Sequence, residues 1–484
     1  MESLIEEYAR KNVFFIHTLG GDEDVPNIHF KKHYRLDYPV ISDNLDQLRH
    51  IIRVRGITNV AVFDGKGVCV FNKEQMGEDP VGLEQSIADA LKEVKQSDLR
   101  ERAHIVNGSV YAPAVSKQER IIHERMPKLA AGENGELHLV YVSDESGSND
   151  VLLRSYANGR WGEDVKVAAT EADEYAPTVV STGPGKALVA YVGQAKGRYE
   201  IFSVAVDGDK VAKSRQVSRS KDDAMAPFLG IGRKGDVWLA WYEWAKMGAL
   251  SRDREILLVK SKGSAWSKPV QVSPKNVPTY EDHADPVVCG DGKGGAWVAW
   301  AWDYHGTLRE KPPVDENSVF LRHVDKGMKM GPILAPGWRG EGRARDYVPS
   351  LAVTPDGVPW VAWDNSHKSS LGYGAKAIFV NSLRGDDFED QSEAAAIPGT
   401  LDTPQLLLDP EGQVHLLWGQ QTREGWKLCA RCLGPQETTK ARKLKIEGKV
   451  PRYPTGCFDT GGCLWVAYTD TDSPHWKIHV EAIE

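Results

Sequence analysis

Seven residues near the middle of the chain have side chains suited to acid–base and anion chemistry: His283, Trp302, Tyr304, His305, Arg345, Tyr347 and His367. A histidine or tyrosine can move the proton next to a sugar carboxylate while a cation neutralises that carboxylate, which is what elimination from a uronide requires. On that reading His283, Tyr304, His305, Arg345 and Tyr347 are the candidate catalytic groups. Trp302 offers a flat face on which a sugar ring can stack. Asp303, Asp364, His367, Glu174, Asp223, Trp244 and Arg452 join it as candidate binding residues. Hydrolysis of a glycosidic bond would instead need two carboxylates at a set separation, and Asp282, Asp303, Asp346 and Asp364 all compete for those places. No metal or other cofactor is expected, because no H-x-H, H-E-x-x-H or D-x-D-x-D-G pattern occurs. The plain alternative for any one of these residues is a solvated loop whose acids cap backbone N–H groups.

These residues are positioned by a repeat that runs from about residue 105 to the C-terminal end. Pro127, Pro177, Pro227, Pro286, Pro349, Pro404 and Pro454 are each followed eight residues later by a glycine: Gly135, Gly185, Gly235, Gly294, Gly357, Gly412 and Gly462. Fourteen residues after each proline stands an aromatic: Tyr141, Tyr191, Trp241, Trp300, Trp363, Trp418 and Tyr468. Each unit therefore reads as a short strand, a turn whose glycine takes a positive φ, and a second strand such as VWLAW or PWVAW. That second strand is apolar on both faces and must be covered on both sides. One face pairs large with small residues, as in Trp238/Ala240 and Trp360/Ala362, which suits radially stacked sheets. Spacings of 50 to 63 residues leave room for four strands per unit. The expected fold is an all-β seven-bladed propeller over 105–484, closed by strand exchange, with 109–116 completing the blade formed by 451–484. In such a meander, the residues before each proline and after each aromatic share one rim around the central channel. The insertions at 302–318 and 364–377 enlarge that rim at blades four and five.

Residues 1–100 follow a different pattern. Strand signals at 13–19 and 38–42 precede a capped helix starting near Asp43, a hairpin over 59–73 and an amphipathic helix over 81–96. This order, with YPVISDNLDQLRHIIRVRGITNVAVFDGKG at its centre, resembles the peroxiredoxin-like branch of the thioredoxin-like fold. The resemblance implies an α/β domain with redox cysteines after the first strand and a cis-proline before the third. Here those stretches read HTLGGDEDVP and Ile57-Thr58-Asn59, so the expectation is a docking or structural module without redox activity.

Composition narrows the remaining classes. The formal charge is −8 and no Lys/Arg block stands out, so nucleic acid is not an expected partner. No apolar run is long enough to span a membrane. MESLIEEYARKN is acidic and amphipathic, which predicts no secretion signal and a cytoplasmic setting, or an extracytoplasmic one for a trimmed mature form. Cys429 and Cys432 lie three apart on an expected strand and point to opposite faces, so zinc is not expected there. Cys457 and Cys463 flank a Gly-rich turn and read as buried free thiols.

The repeat, with its V-A-W strands and W-x-x-P-V-x-V-S outer strands, resembles sialidase-like propellers with Asp-box (BNR) turns. SYANGRW at 155–161 keeps the Ser, Gly and Trp of that turn but has Ala157 where the aspartate belongs. Arg125-Met126-Pro127, Arg345 and Arg452 resemble the family's arginine positions, although sialidases have six blades. Some polysaccharide lyases share the seven-bladed form, with His, Tyr and Arg at the mouth. Two functions follow: a binding or scaffold propeller that recognises a glycan or protein partner at the channel mouth, or a lyase or glycosidase working at the rim of blades four and five.

Overall fold

The computed structural model describes short strands within residues 17–111 and most of 122–483; 112–121, 275–281, 306–314, 337–345 and 366–367 are the longer or more relevant stretches outside the described residues. The chain divides into two compact units, 1–120 and 121–484.

In the first unit, His17–Leu19 and Val40–Ser42 pair in parallel, within the two strands expected there. Asn59–Phe63 and Cys69–Glu74 form the expected antiparallel hairpin, and His104–Val106 pairs with Ser109–Tyr111. The expected helices, and the thioredoxin-like arrangement they would complete, lie outside the described residues. So does 112–121, and with it the closure of blade seven by 109–116.

The second unit is an all-β seven-bladed propeller. Its antiparallel blades span 124–168, 175–216, 224–271, 282–334, 346–397, 405–443 and 451–483. All seven repeat glycines have positive φ, from 64° at Gly185 to 96° at Gly294, as the hairpin turn demands. All seven repeat aromatics are buried, from Trp241, Trp300 and Tyr468 at 0% exposure to Tyr191 at 5%. Apolar clusters run from blade to blade, and one joins Leu137, Leu139 and Tyr141 of blade one to Ala467 and Trp465 of blade seven. Backbone bonds reinforce that junction. Glu124 N–H donates to the Trp476 carbonyl at 3.0 Å, and Ile478 N–H donates to the Glu124 carboxylate at 2.9 Å.

The repeat prolines have a role that the spacing did not reveal. In six blades the residue just before the proline has a left-handed φ: Met126, Ala176, Ala226, Asp285, Val348 and Tyr453, between 44° and 55°. At the same place the register to the second strand slips. Each of these six first strands thus carries a bulge at the channel mouth. Proline fits there because a bulge leaves one residue unpaired and proline has no N–H to donate. The bulge re-aims the two or three residues preceding it, which are the rim residues.

Candidate functional site at the channel mouth

The expected rim forms. His283 pairs with Trp302 and Asp282 with Asp303; Tyr347 pairs with Asp364, and Arg452 with Thr469. The third strand of each blade returns from this same edge, which adds a set of positions the sequence reading passed over. Arg254 is one of them, opposite Trp244. In blade four the described ends of the expected insertion lengthen the hairpin, with Asp303, Tyr304 and His305 opposite Asn317, Glu316 and Asp315. In blade five Lys368–Ser369 pairs with Gly372–Tyr373.

Blades three and four bring aromatic rings, a guanidinium and a histidine together. The Arg254 guanidinium lies over the Tyr242 ring at 5.0 Å and the Trp244 ring at 5.5 Å, distances at which a cation is attracted to the ring face. Tyr242 and Trp244 meet edge to face at 6.4 Å. The Arg254 backbone pairs in parallel with Asp282 of the next blade, so the charge sits beside His283. His283 is 1% exposed. Its Nδ1 accepts the Trp300 indole N–H at 3.1 Å, and its ring lies 4.8 Å from that of Trp302. Burial, helped by the Arg254 charge, pulls the imidazole pKa down to about 3. The Trp300 bond assigns the proton to Nε2, which has no hydrogen-bond partner among the described residues. Trp302 packs on Phe320 at 4.7 Å; Trp302 and Trp244 are both half-buried.

The acids of blades two and three are set into the wall. Glu174 is 2% exposed and accepts the Thr170 hydroxyl at 2.5 Å. Burial raises its pKa, and the charges of Asp150 and Asp173 add to the rise against the Thr170 hydrogen bonds. Asp223, also 2% exposed, accepts Tyr199 N–H at 2.8 Å, while its carbonyl accepts Trp244 N–H at 3.1 Å. Asp173 does the same one blade earlier, accepting Asn149 N–H at 2.9 Å. These aspartates tie the start of one blade's third strand to the next blade.

Arg452 belongs to the wall as well. It is 3% exposed and grips Asp402 through Nε at 3.1 Å and Nη2 at 2.9 Å. Asp402 also accepts Tyr453 N–H at 2.9 Å. The guanidinium lies 3.9 Å over Trp426 and 5.0 Å over Tyr453. Asp364 is 8% exposed. Strand pairing puts Asp303, Tyr304, His305 and Tyr347 at the rim, but their side chains lie outside the described residues, as do Arg345 and His367 entirely. Among the expected site residues, then, His283 and Trp302 come into contact and Trp244 joins them through Arg254, with Asp223 tied to Trp244 through its backbone, whereas Glu174 and Arg452 sit in other blades. Among the described residues, no group of three or more His, Cys, Asp or Glu is placed to hold a metal ion. No described helix is long and apolar enough to cross a membrane.

No family model matches the sequence, and no curated protein matches it. Solved structures share the fold. A PL25 ulvan lyase is 13% identical with a TM-score of 0.53, over 75% of this chain and 94% of that one. The polysaccharide lyase Uly1 is 10% identical with a TM-score of 0.51, over 81% of this chain and 95% of that one. The Hadza microbial sialidase Hz136 is more distant, at 14% identity and a TM-score of 0.43 over 72% of this chain and 76% of that one. At such identities the likeness is one of architecture.

Proposed function

We propose that the propeller is a binding module that recognises an acidic glycan at the channel mouth, centred on blades three and four. The observation that carries this reading is the Arg254 guanidinium held against Tyr242 and Trp244, on the same rim as the half-buried Trp302. Aromatic faces stack on sugar rings, and a guanidinium fork takes a carboxylate or sulfate through two hydrogen bonds. Asp303, Tyr304, His305, Tyr347 and Asp364 stand at the strand ends that continue the rim into blades four and five, and Arg345 and His367 remain candidates there by sequence position. The ulvan lyase that shares the fold has a structure bound to -[GlcA(1-4)Rha3S]-, which agrees with an acidic sugar as the ligand class.

Recognition is favoured over turnover by the state of His283. Its Nδ1 is occupied by Trp300 and its pKa lies near 3. It can donate a hydrogen bond from Nε2 but does not take up a proton near neutral pH, so it is no general base.

The test is calorimetric titration of the full chain with a sulfated, uronate-containing oligosaccharide and with its neutral counterpart. Arg254→Ala is expected to weaken binding of the acidic sugar at least about tenfold. Equal binding of both sugars, or no effect of Arg254→Ala, defeats the proposal. Release of an unsaturated uronate, followed by its ultraviolet absorbance, converts the reading to a lyase whose base is one of Tyr304, His305, Tyr347 or His367.

A further inference from the structure

A cleft of about 610 Å³ opens on the circumference of the propeller, between the outermost strands of blades three and four. Its volume falls within the range of small-molecule sites. Pro269, Val270, Pro274, Met328, Met330 and Ile333 make its apolar walls. Its two neutral polar side chains are engaged within the protein. Gln271 Nε2 donates to the Pro274 carbonyl at 2.9 Å, and Ser273 Oγ accepts Ile256 N–H at 3.1 Å.

Arg322 is the exception. Its Nε–H donates to the Gly331 carbonyl at 2.8 Å and Nη1 donates to the Val272 carbonyl at 2.6 Å. These two bonds fix the guanidinium in the wall and link the two blades. No described carboxylate forms an ion pair with it, and Nη2 has no protein partner among the described residues. Burial lowers the Arg322 pKa with no acid opposing the shift. A partly desolvated cation that meets only carbonyl dipoles gains from an anion brought to its free edge.

We propose that this cleft binds a small amphipathic carboxylate, with its head on Arg322 and an unbranched apolar tail along the methionine-lined wall. No aromatic face lines the cleft on which a sugar ring could stack. The flexible thioethers of Met328 and Met330 adapt to a tail of varying path. The site lies on the outer strands, apart from the strand ends that form the channel mouth.

The experiment is titration of the full chain with decanoate below its micelle-forming range, with decanol and decyltrimethylammonium as neutral and cationic controls. Decanoate is expected to bind saturably, one per chain, and more tightly than either control. Arg322→Gln is expected to weaken decanoate at least about tenfold while leaving decanol unchanged. Ile333→Trp, which fills the cleft and keeps Arg322, is expected to abolish both; melting curves confirm that each variant is folded. Met330→Trp carries the same test if Arg322→Gln does not fold, since it leaves the bond to Val272 intact. Non-saturable uptake, or equal affinity in wild type and the folded variants, overturns the proposal.

Discussion

Arg254 and Arg452 stand on the same rim, each stacked on aromatic rings, yet they do different work. Arg452 is 3% exposed and shares its charge with Asp402, itself 1% exposed. Arg254 is half-buried and spread over Tyr242 and Trp244. At blades six and seven the rim chemistry holds two blades together. At blades three and four the guanidinium is half-buried against two aromatic rings. Residue type at the rim thus does not tell a buried strut from a half-buried group such as Arg254; depth in the wall does.

The largest expected effect breaks the strut. Asp402→Ala leaves a buried guanidinium without its carboxylate, and such a loss costs about 3–5 kcal/mol. The backbone N–H of Tyr453 loses its acceptor as well. Denaturant unfolding is the measurement. A change below about 1 kcal/mol would show the pair to be a surface-type bridge. Arg254→Ala is the matching change at blades three and four, and its loss of unfolding free energy is expected to be smaller than that of Asp402→Ala, because Arg254 is less deeply buried.

A second effect follows from His283. Its pKa is about 3 in the folded chain against an ordinary value of 6.5. Between those values the unfolded chain binds a proton that the folded chain refuses. Stability therefore rises with pH across this window and is lost as pH falls from 6.5 toward 3. The loss from pH 6.5 to about pH 5 is expected to be on the order of 2 kcal/mol. His283→Gln should flatten the slope of unfolding free energy against pH; an unchanged slope would mean that the imidazole ionises freely in the fold. Glu174 has the opposite dependence. Burial raises its pKa, so its contribution is full below the ordinary carboxylate range and lost as pH rises through the folded value. Glu174→Gln should accordingly stabilise the fold near neutral pH.

Much of the fold is legible in the sequence because the proline, glycine and aromatic each answer one local demand. Gly235 must turn with positive φ, and Trp241 must be covered on both sides. The rim was legible for the same reason, since meander topology fixes which strand ends meet. Depth was not. Asp223 and Arg452 read as open-rim groups, but their partners, Tyr199 N–H and Asp402, come from the preceding blade about 25 and 50 residues earlier in the chain. Arg254 stands on a third strand, outside the first and second strands that carry the repeat. The signal was present in the sequence, since a third strand following a hairpin begins on the same rim. The Arg322 cleft had no sequence signal, because it depends on two outer strands from different blades.

The smallest expected effect contrasts the two regions through their bulges. Ala226 of blade three has φ 51° and Tyr453 of blade seven has φ 54°, a region that costs a residue with a Cβ but not glycine. Ala226→Gly removes only a methyl group, so relief of the strain is offset just by the greater freedom of glycine in the unfolded chain; a net gain of up to about 1 kcal/mol is expected. Tyr453→Gly relieves the same φ, but it also removes the ring that lies 5.0 Å from the Arg452 guanidinium. It is therefore expected to destabilise, even though its N–H bond to Asp402 is kept. Denaturant midpoints at constant m-value read both changes. A gain at Ala226 with a loss at Tyr453 would show that the bulge at blade three is strained and that the strut at blades six and seven outweighs any such strain there. A loss of stability in both would mean that the left-handed residue at Ala226 is held by packing, with no strain to relieve.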